Sequence, residues 1–342
     1  MSAGRPYAAL QEAPRLRRLS RRRLIGIVGA STVLGALPIA TRNTPGPLAH
    51  EWRGVALGAW ARILLYHDDR TAAVRTLGAC VAEIERLERE FSLYRPDSAL
   101  SILNRSGRLV QPSIDMRRLM SEALRFGDLS SGVFDVTIQP LWRLYADHFT
   151  AAANSEKNLD RRRLEAALSL VDFRRVDVTQ RSIDFSRPGM AVTLNGIAQG
   201  FITDRVAELL GNSGFTYVLV DVGELRAQGH RPDGRPWRIA LARSPNPTRE
   251  IMISDEAVAT SAGGGTRFEA SGRFNHIIDP RTGRCADPGK TVSVIAESAT
   301  AADAIATSIC LLDHDRAMAL LHKVGSARVL VNGENCGLHS SA

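Results

Sequence analysis

Segments with the apolar spacing of helices and segments with that of strands follow one another along this chain without a regular alternation. Residues 71 to 91 carry apolar side chains every three or four positions, which predicts a long amphipathic helix with charged residues on its outer face. The mixed order of helices and strands predicts an α+β fold with a largely antiparallel sheet, because a parallel sheet would need a strict strand, helix, strand rhythm. We expect further helices at residues 114–130, 160–170, 198–210, 299–312 and 315–324. We expect strands at residues 55–66, 191–194, 217–222, 237–241, 250–254, 274–278, 292–296 and 327–331, with a hairpin near 175–187.

Most of the formal net charge of +8 lies at the N-terminus of the chain. Residues 1–40 hold seven Arg and one Glu, a net charge of +6, which leaves +2 for all the other residues. A nearly neutral body argues against nucleic acid as a partner, so we expect none. Hydrophobic residues make up 44% of the 342 residues, which is enough for a sizeable core and excludes a chain that is disordered by composition.

The basic N-terminus has the layout of an export signal. The run Ser20-Arg-Arg-Arg-Leu-Ile25 leads into an uncharged segment that ends at Ala40. The arginine pair resembles that of a Tat signal, which predicts recognition by the Tat export machinery and delivery of the folded protein to the periplasm. Cleavage after Ala40 or Ala49 would remove this segment, whereas an uncleaved segment would be an N-terminal membrane anchor. The expected organisation is a signal at residues 1–40, a turn-rich linker at 41–51 and a single domain at 52–342.

The four cysteines are far apart and form no C-x-x-C pair, which argues against a metal-thiolate site. Cys80 and Cys310 lie on apolar helical patterns, so we expect them to be small core residues. In an oxidising periplasm one disulfide could form, and the sequence alone does not choose a pair.

Asp303 and Thr307 are four residues apart in a helical stretch otherwise made of Ala and Ile. Positions i and i+4 are neighbours on a helix, so both oxygens would project from one face. Carboxylate and hydroxyl oxygens are ligands that Mg²⁺ accepts when it also binds phosphate. The structural alternative is that Asp303 caps the helix and Thr307 bonds back to the preceding turn.

Three other segments combine Gly or Ala with polar groups that a core would not select. Each has a simple structural explanation: a helix C-terminus at Gly132, a helix start between Gly196 and Gly200, and a turn after His276, which would itself be a structural histidine. These segments are Ser131-Gly-Val-Phe-Asp-Val-Thr-Ile-Gln-Pro-Leu-Trp142, Thr193-Leu-Asn-Gly-Ile-Ala-Gln-Gly200 and Asn275-His-Ile-Ile-Asp-Pro-Arg-Thr-Gly283.

Together, and in this order, these segments and the Asp303 helix resemble the ApbE family of FAD:protein FMN transferases. The resemblance covers roughly residues 52 to 332 and implies an ApbE-like (T-fold-like) domain of largely antiparallel sheet with packed helices. Residues 90–94 and 259–261 match supporting family motifs. Within the family, Ala56-Leu-Gly-Ala59, Asn195-Gly-Ile-Ala-Gln199 and Val220-Asp-Val-Gly-Glu224 are similar to the NosX branch, which is associated with maturation of the nitrous oxide reductase system.

The resemblance implies a reaction and a set of site residues. Such enzymes move FMN from FAD to a Thr or Ser of an acceptor protein and release AMP, with Mg²⁺ on the phosphates. His276 and Asp279 would be the catalytic residues, and the carbonyl of Gly196 with Asp303 and Thr307 would bind the metal. The matching FAD-binding positions are Leu57, Phe134, Asp135, Thr137, Thr193, Gln199, His276 and Ile277. The acceptor implied by the NosX branch is a membrane-bound NosR-type flavoprotein.

Two departures from the family pattern concern FAD binding. Leu57-Gly58-Ala59 replaces the common Met-Gly-Thr, and Thr193 and Gln199 stand where the family often has Asp and Lys. The second change removes a potential ion pair without changing the net charge. These departures motivate an alternative, a non-catalytic FAD-binding protein that acts as a flavin carrier or maturation partner. A third alternative is a purely structural secreted protein, which would not bind FAD at all.

Overall fold

The computed structural model describes residues 33–34, 46–151, 159–241 and 249–339. The predicted signal therefore lies outside the described residues, except that Val33–Leu34 forms a short strand, β1, paired with Leu241 and Ala240. No helix within these described ranges is long and apolar enough to cross a membrane.

The described part of the chain contains helices and strands in mixed order, as expected. The helices are α1 Arg70–Phe91, α2 Ala99–Ser106, α3 Ile114–Leu129, α4 Gln139–Ala151, α5 Arg161–Leu168, α6 Ala198–Asn212, α7 Ala299–Ile309 and α8 His314–Val324. The strands after β1 are β2 Ala49–Ala56, β3 Ala59–Tyr66, β4 Arg108–Val110, β5 Val176–Val178, β6 Ser182–Phe185, β7 Val218–Asp221, β8 Leu225–Gln228, β9 Trp237–Leu241, β10 Arg249–Ile253, β11 Ala257–Ala262, β12 Thr291–Ala296, β13 Ala327–Val331 and β14 Glu334–His339.

Eight of the strands form one sheet in the order β14-β13-β12-β11-β8-β7-β3-β2. Every neighbouring pair in this sheet is antiparallel. Two three-stranded sheets, β1-β9-β10 and β4-β6-β5, are antiparallel as well. The prediction of an α+β fold with a largely antiparallel sheet is confirmed.

The large sheet is buried on both faces. On one face, α1, α6 and α7 contribute to the main apolar core together with alternate residues of the strands, such as Ile63 and Val220. On the other face, β9 and β10 cover a smaller cluster that includes Leu64 and Trp237. A third cluster joins α4 and α5 to the loop at residues 268–285.

The prediction of one strand at residues 55–66 is wrong, because the chain reverses at Leu57 and Gly58. Both residues have positive φ angles, 52° and 77°, which suits a two-residue hairpin turn. Leucine is strained in this conformation, and the Leu57 amide donates a hydrogen bond to the carboxylate of Glu88 on α1. Strand β2 also begins at Ala49, so the predicted linker is shorter than residues 41–51.

Two further predicted strands are not strands in the structure. Residues 191–194 have no regular secondary structure, and the backbone of Val192 forms two hydrogen bonds, of 2.7 and 2.8 Å, with the side-chain amide of Asn104 instead of with a strand. Residues 274–278 make only isolated bridges, from Asn275 to Arg267 and from Ile278 to Cys285. Helices α2 and α4 and strands β4, β8, β11 and β14 were not predicted.

The three cysteines whose side chains are described are free thiols. Cys80 lies within α1 and Cys310 just after α7, and both are buried as predicted. Burial raises the pKa of each thiol to about 12, so neither is a reactive thiolate at neutral pH.

Helices α6 and α7 cross in direct backbone contact. A Cβ atom at Gly200 would lie 2.2 Å from the carbonyl oxygen of Ala299, so only glycine fits this crossing. One turn further on, the Asp204 carboxylate accepts hydrogen bonds from the amides of Ala299 and Thr300, both at 2.9 Å. Asp204 thereby caps the start of α7 from the neighbouring helix, and Arg226 pairs with the same carboxylate at 2.5 Å.

We predict opposite effects of alanine at two helical glycines. Gly200→Ala should lower the free energy of unfolding by about 1–3 kcal/mol, because the new methyl group forces α6 away from α7. Gly78→Ala in α1 should be neutral or raise it by up to about 1 kcal/mol, since no atom lies within 4 Å of that Cβ position. Urea unfolding of both variants measures the difference, and equal stabilities would contradict the described crossing.

Candidate active site

A cleft opens where the loops of the chain meet the start of α6 and the middle and C-terminal end of α7. Its cavity volume is about 1070 Å³, including space open to solvent, and residues from all four predicted segments line it. Apolar side chains such as Phe134, Trp142 and Ile277 line part of the cleft, and polar groups such as Gln199 and Thr307 line another part. This combination suits a ligand with a flat apolar ring and a polar chain.

Asp303 and Thr307 line the cleft from α7. The cap of this helix is Ser298, whose hydroxyl accepts a hydrogen bond from the Ala301 amide at 3.1 Å. Asp303 is therefore not the helix cap, and the structural alternative for this residue is wrong. Asp303 Oδ2 instead accepts a hydrogen bond from the Gly200 amide at 3.2 Å across the helix crossing.

The Asp303 carboxylate is buried without a compensating charge. Its exposure is 4%, and no Arg, Lys or His of the described residues forms an ion pair with it. Burial raises the pKa of Asp303 well above its ordinary value, the nearby Asp204 raises it further, and the Gly200 hydrogen bond only partly opposes this shift. A cation bound at this point would remove the cost of burying the charged form.

The loop at Gly196 passes directly against Thr307. A Cβ atom at Gly196 would lie 3.3 Å from Thr307 Oγ1 and 3.2 Å from the Phe134 ring, so a side chain there would crowd both. Gly196, Asp303 and Thr307 all line the same cleft, and the ligands that the family resemblance implies for them are a backbone carbonyl, a carboxylate and a hydroxyl. No described group of three or more His, Cys, Asp or Glu side chains could hold a metal, but these hard oxygens fit a hard cation such as Mg²⁺.

Gln199 supplies an unused hydrogen-bond donor to the cleft. The residue is 3% exposed, lies on the first turn of α6, and its Nε2 has no hydrogen-bond partner. Buried polar groups are rarely left unpaired, so this amide fits a ligand acceptor such as a flavin or phosphate oxygen. Thr193 lies at the start of the same loop, where its hydroxyl accepts a hydrogen bond from the Asn195 amide at 3.2 Å.

His276 lines the cleft from the opposite loop. Its Nδ1 lies 3.2 Å from the carbonyl oxygen and 3.3 Å from the amide nitrogen of Thr266. Desolvation by burial lowers the pKa of His276, which keeps the imidazole neutral at physiological pH. Next to it, Asn275 donates hydrogen bonds to the carbonyls of Gly272 and Ala286 and thereby fixes the loop.

The structure does not bring all the predicted site residues into the cleft lining. Asp279 forms two hydrogen bonds with the Arg281 guanidinium and one with the Arg281 amide, an arrangement that shapes the turn. Its catalytic role stays a prediction. Thr137 is fully buried and donates a hydrogen bond to Asp135 at 2.5 Å. Leu57 lies at the hairpin turn, outside the residues that line the cleft.

Asp135 lines the cleft but is also a local organiser. Its carboxylate accepts hydrogen bonds from the Thr137 amide and hydroxyl and from the Phe173 amide, which fixes the loop that presents Phe134. Burial raises the pKa of Asp135 although these hydrogen bonds oppose it. Its proposed contact with FAD stays a prediction.

Sequence reasoning did not assign several residues that line the cleft. Glu224 is 3% exposed and accepts a hydrogen bond from the Thr260 amide at 3.2 Å. Ser261 Oγ lies 3.2 Å from Thr307 Oγ1. Both occur in motifs of the family resemblance, and that membership is the only sequence signal that points to them. Tyr94 and Trp142 are two further lining residues that were not assigned.

The sequence model of the ApbE family matches residues 57–331, which is most of the chain. This chain belongs to the ApbE family. A Vibrio cholerae protein named FAD:protein FMN transferase is 31% identical over 69% of this chain and 73% of its own length. A Treponema pallidum protein of the same name is 29% identical over 79% of this chain and 80% of its own length.

Solved ApbE structures share the fold. The apo form of Pseudomonas stutzeri flavinyl transferase ApbE matches with a TM-score of 0.73 and 25% identity, over 85% of this chain and 93% of that one. Flavin transferase ApbE from Vibrio cholerae matches with a TM-score of 0.71 and 27% identity, over 83% and 93% of the two chains. The ApbE-like fold expected from the sequence is confirmed.

We predict that Asp303→Asn stabilises the metal-free protein. The folded-state pKa of Asp303 is raised, so the carboxylate costs stability as the pH rises above the ordinary value of 3.8, and the neutral amide removes this cost. The gain should be at least about 1 kcal/mol at pH 8, because one unit of pKa shift corresponds to about 1.4 kcal/mol.

Chemical unfolding of chelator-treated protein at pH 8 and pH 4 measures this gain. It should shrink towards pH 4, close to the ordinary pKa of 3.8, where a substantial fraction of the unfolded carboxyl is also protonated. A loss of stability at pH 8 would show that the charged form is already compensated in the folded chain.

Proposed function

We propose that this chain is an FAD:protein FMN transferase, which moves FMN from FAD to a Thr or Ser hydroxyl of an acceptor protein and releases AMP. One observation carries the proposal: a buried, uncompensated carboxylate at Asp303, the adjoining oxygens of Thr307 and Gly196, and a neutral His276 line the same cleft. The names of the relatives in the same family support this activity.

Asp303, Thr307 and the Gly196 carbonyl would hold Mg²⁺ in this proposal. When bound, Mg²⁺ supplies a Lewis acid for the pyrophosphate of FAD, where negative charge accumulates during transfer. Gln199 Nε2 donates a hydrogen bond to the substrate from the same side, since it is buried, lines the cleft and has no partner in the chain. The apolar surface of Phe134 and Ile277 faces the flavin.

The transfer breaks the bond between the FMN phosphorus and the bridging oxygen and forms a bond from that phosphorus to the acceptor hydroxyl. The hydroxyl proton must be accepted by a base, and AMP leaves with the bridging oxygen. His276 serves as this base in the tautomer whose Nδ1–H donates to the Thr266 carbonyl, because its Nε2 then keeps a lone pair. Asp279 contributes indirectly by holding the turn that follows His276.

We also propose that the protein works in the periplasm after Tat export and flavinylates a membrane-bound NosR-type protein in maturation of the nitrous oxide reduction system. The leader at residues 1–40 and the NosX-like motifs at 56–59, 195–199 and 220–224 support this assignment. Fusion of the leader to a reporter that requires folded export tests the location, and genes for nitrous oxide reductase beside this one would support the acceptor class.

A second candidate function is that of a non-catalytic FAD-binding maturation or flavin-carrier protein. The uncharged pair Thr193 and Gln199, in a loop where the family often has Asp and Lys, favours it because no side-chain cation from this loop reaches the phosphates. Such a protein would bind FAD in the same cleft and leave its anhydride intact.

We predict that the purified protein, with FAD and Mg²⁺, adds one FMN to the acceptor domain. Asp303→Ala should lower the transfer rate at least about a hundredfold, because removing a preorganised electrostatic contact to the phosphates typically costs that much. Mass spectrometry of the acceptor measures the covalent increment, and protein fluorescence or thermal unfolding shows that the variant is folded.

The reaction needs an active transferase on the same acceptor as a control. No FMN increment with this protein, beside a full increment with the control, would contradict the transferase proposal. If FAD still binds in that case, the flavin-carrier function is favoured instead. Absence of FAD binding would remove both functions.

We predict that the acid limb of the pH–rate profile lies below pH 6.5. Burial lowers the pKa of His276 from that ordinary value, so the base is lost only when more acidic solution protonates it. Transfer rates measured from pH 4.5 to 8 at saturating FAD, acceptor and Mg²⁺ give the midpoint.

His276→Gln is the matched variant for this profile. It should be slower by about 10²–10⁴-fold and should lose the acid limb, because its side chain does not titrate. An unchanged limb in this variant would assign the titration to another group.

A further inference from the structure

The hydroxyl of Thr307 has a geometric requirement that its own helix does not meet. A hydroxyl that offers a lone pair to a cation must direct its proton to another acceptor. On a helix the usual acceptor is the carbonyl four residues earlier, as for Ser308, which donates to the Ala304 carbonyl at 2.7 Å. Within the described ranges of the chain, the Thr307 hydroxyl has instead one hydrogen-bonding contact, with Ser261 Oγ at 3.2 Å.

Ser261 comes from a different element and is firmly placed. It lies in β11, in register with Val292 of β12, and its carbonyl accepts a hydrogen bond from the Cys310 thiol at the end of α7. Its side chain lines the cleft beside Thr307. Strand β11 therefore places Ser261 Oγ, which has two lone pairs, within hydrogen-bonding distance of the Thr307 hydroxyl, whose proton must be oriented.

We propose that Ser261 is a positioning residue for the cation site, which accepts the Thr307 proton and thereby turns a Thr307 lone pair towards Asp303 and Gly196. This inference rests on the proposed function only for the presence of the cation; it does not depend on transfer to an acceptor. Ser261 acts through Thr307 and contributes no ligand of its own. Loss of its hydroxyl leaves Thr307 free to rotate its proton into the site.

A neighbouring hydroxyl pair provides the control. Thr260 Oγ1 and Ser293 Oγ lie 2.9 Å apart in the adjacent register position of the same two strands, and both residues are buried. Ser293 does not line the cleft. Ser293→Ala therefore removes a hydroxyl from the same sheet at a residue that lies outside the cleft lining and has no hydrogen bond to Thr307.

The test measures binding of Mn²⁺, as a paramagnetic probe for the Mg²⁺ site, to the full chain with FAD present. Free Mn²⁺ is followed by its electron paramagnetic resonance signal. Ser261→Ala should weaken Mn²⁺ binding roughly three- to tenfold, the range expected for one hydrogen bond. Ser261→Thr, which keeps the hydroxyl, and Ser293→Ala should stay within about twofold of the parent chain. Unchanged affinity in Ser261→Ala overturns the proposal.

A double-substitution cycle separates positioning from direct ligation. In a Thr307→Ala background, Ser261→Ala should have no further effect on Mn²⁺ affinity, since its only route to the cation is gone. An additional loss of the same size would show that Ser261 contacts the cation or FAD directly, and this overturns the positioning role. If Ser261→Ala fails to fold, Ser261→Cys replaces it in both series and should give an intermediate loss, because a thiol is a weaker acceptor.

Failure of this inference is distinguishable from failure of the proposed function. If Mn²⁺ binds but no FMN is transferred to any acceptor, the effect of Ser261→Ala on Mn²⁺ affinity can still be measured. That outcome would contradict only the transferase proposal. Transfer that proceeds with Mn²⁺ affinity unchanged by Ser261→Ala would contradict only the positioning role.

Discussion

The backbone contact between α6 and α7 is the constraint on which the site depends. Gly200 has no side chain, so its amide comes close enough to donate to Asp303 on the other helix. The same crossing places the Asp204 carboxylate over the first amides of α7. Two aspartates therefore lie at one helix crossing, in opposite electrostatic situations. Asp204 is neutralised by Arg226 and the helix start, whereas Asp303 faces the cleft without a cationic partner among the described residues.

The contrast between Asp204 and Asp303 distinguishes a structural carboxylate from a candidate functional one. A carboxylate that only stabilised the crossing would be paired as Asp204 is, because burial of a free charge is costly. At Asp303 the free-energy cost of burying the charged form is not offset by a cation of the described chain, and Thr307 and the Gly196 loop line the same cleft. Destabilising groups of this kind are typical of binding sites that a ligand completes.

Local patterns predicted much of the fold. The predictions failed where contacts between residues far apart in the sequence fix the backbone. Helices α1, α3 and α8 were close to their predicted bounds because one apolar stripe is enough to define each of them. Helix α7, which is buried on nearly all sides, ends three residues before its predicted end. The turn at Leu57 was missed because leucine rarely adopts a positive φ angle, and its support comes from Glu88, 31 residues away. Residues 191–194 resemble a strand in sequence, but their hydrogen-bond partner is a side chain 88 residues earlier.

The candidate site shows the same division. The four-residue spacing of Asp303 and Thr307 predicted their shared face, and the family motifs located the Gly196 and His276 loops. Ser261 and Glu224 were not assigned, because their importance lies in contacts to Thr307 and Thr260 that no local pattern contains. The predicted cap at Asp303 failed for a local reason, since Ser298 already occupies that position five residues earlier.

The pairing of Asn104 with Val192 has a consequence for how the cleft is built. The side-chain amide of Asn104 forms the two hydrogen bonds with the Val192 backbone that a neighbouring strand would form. It thereby connects the residue before the Thr193–Gly200 loop to α2. The floor of the cleft belongs to the sheet and α7, whereas the start of this loop is held by the Asn104 side chain and by a backbone hydrogen bond of 2.8 Å from the Thr193 amide to the Val136 carbonyl. A change at Asn104 in α2 would therefore alter one support of this loop while Asp303 and Thr307 on α7 stay untouched.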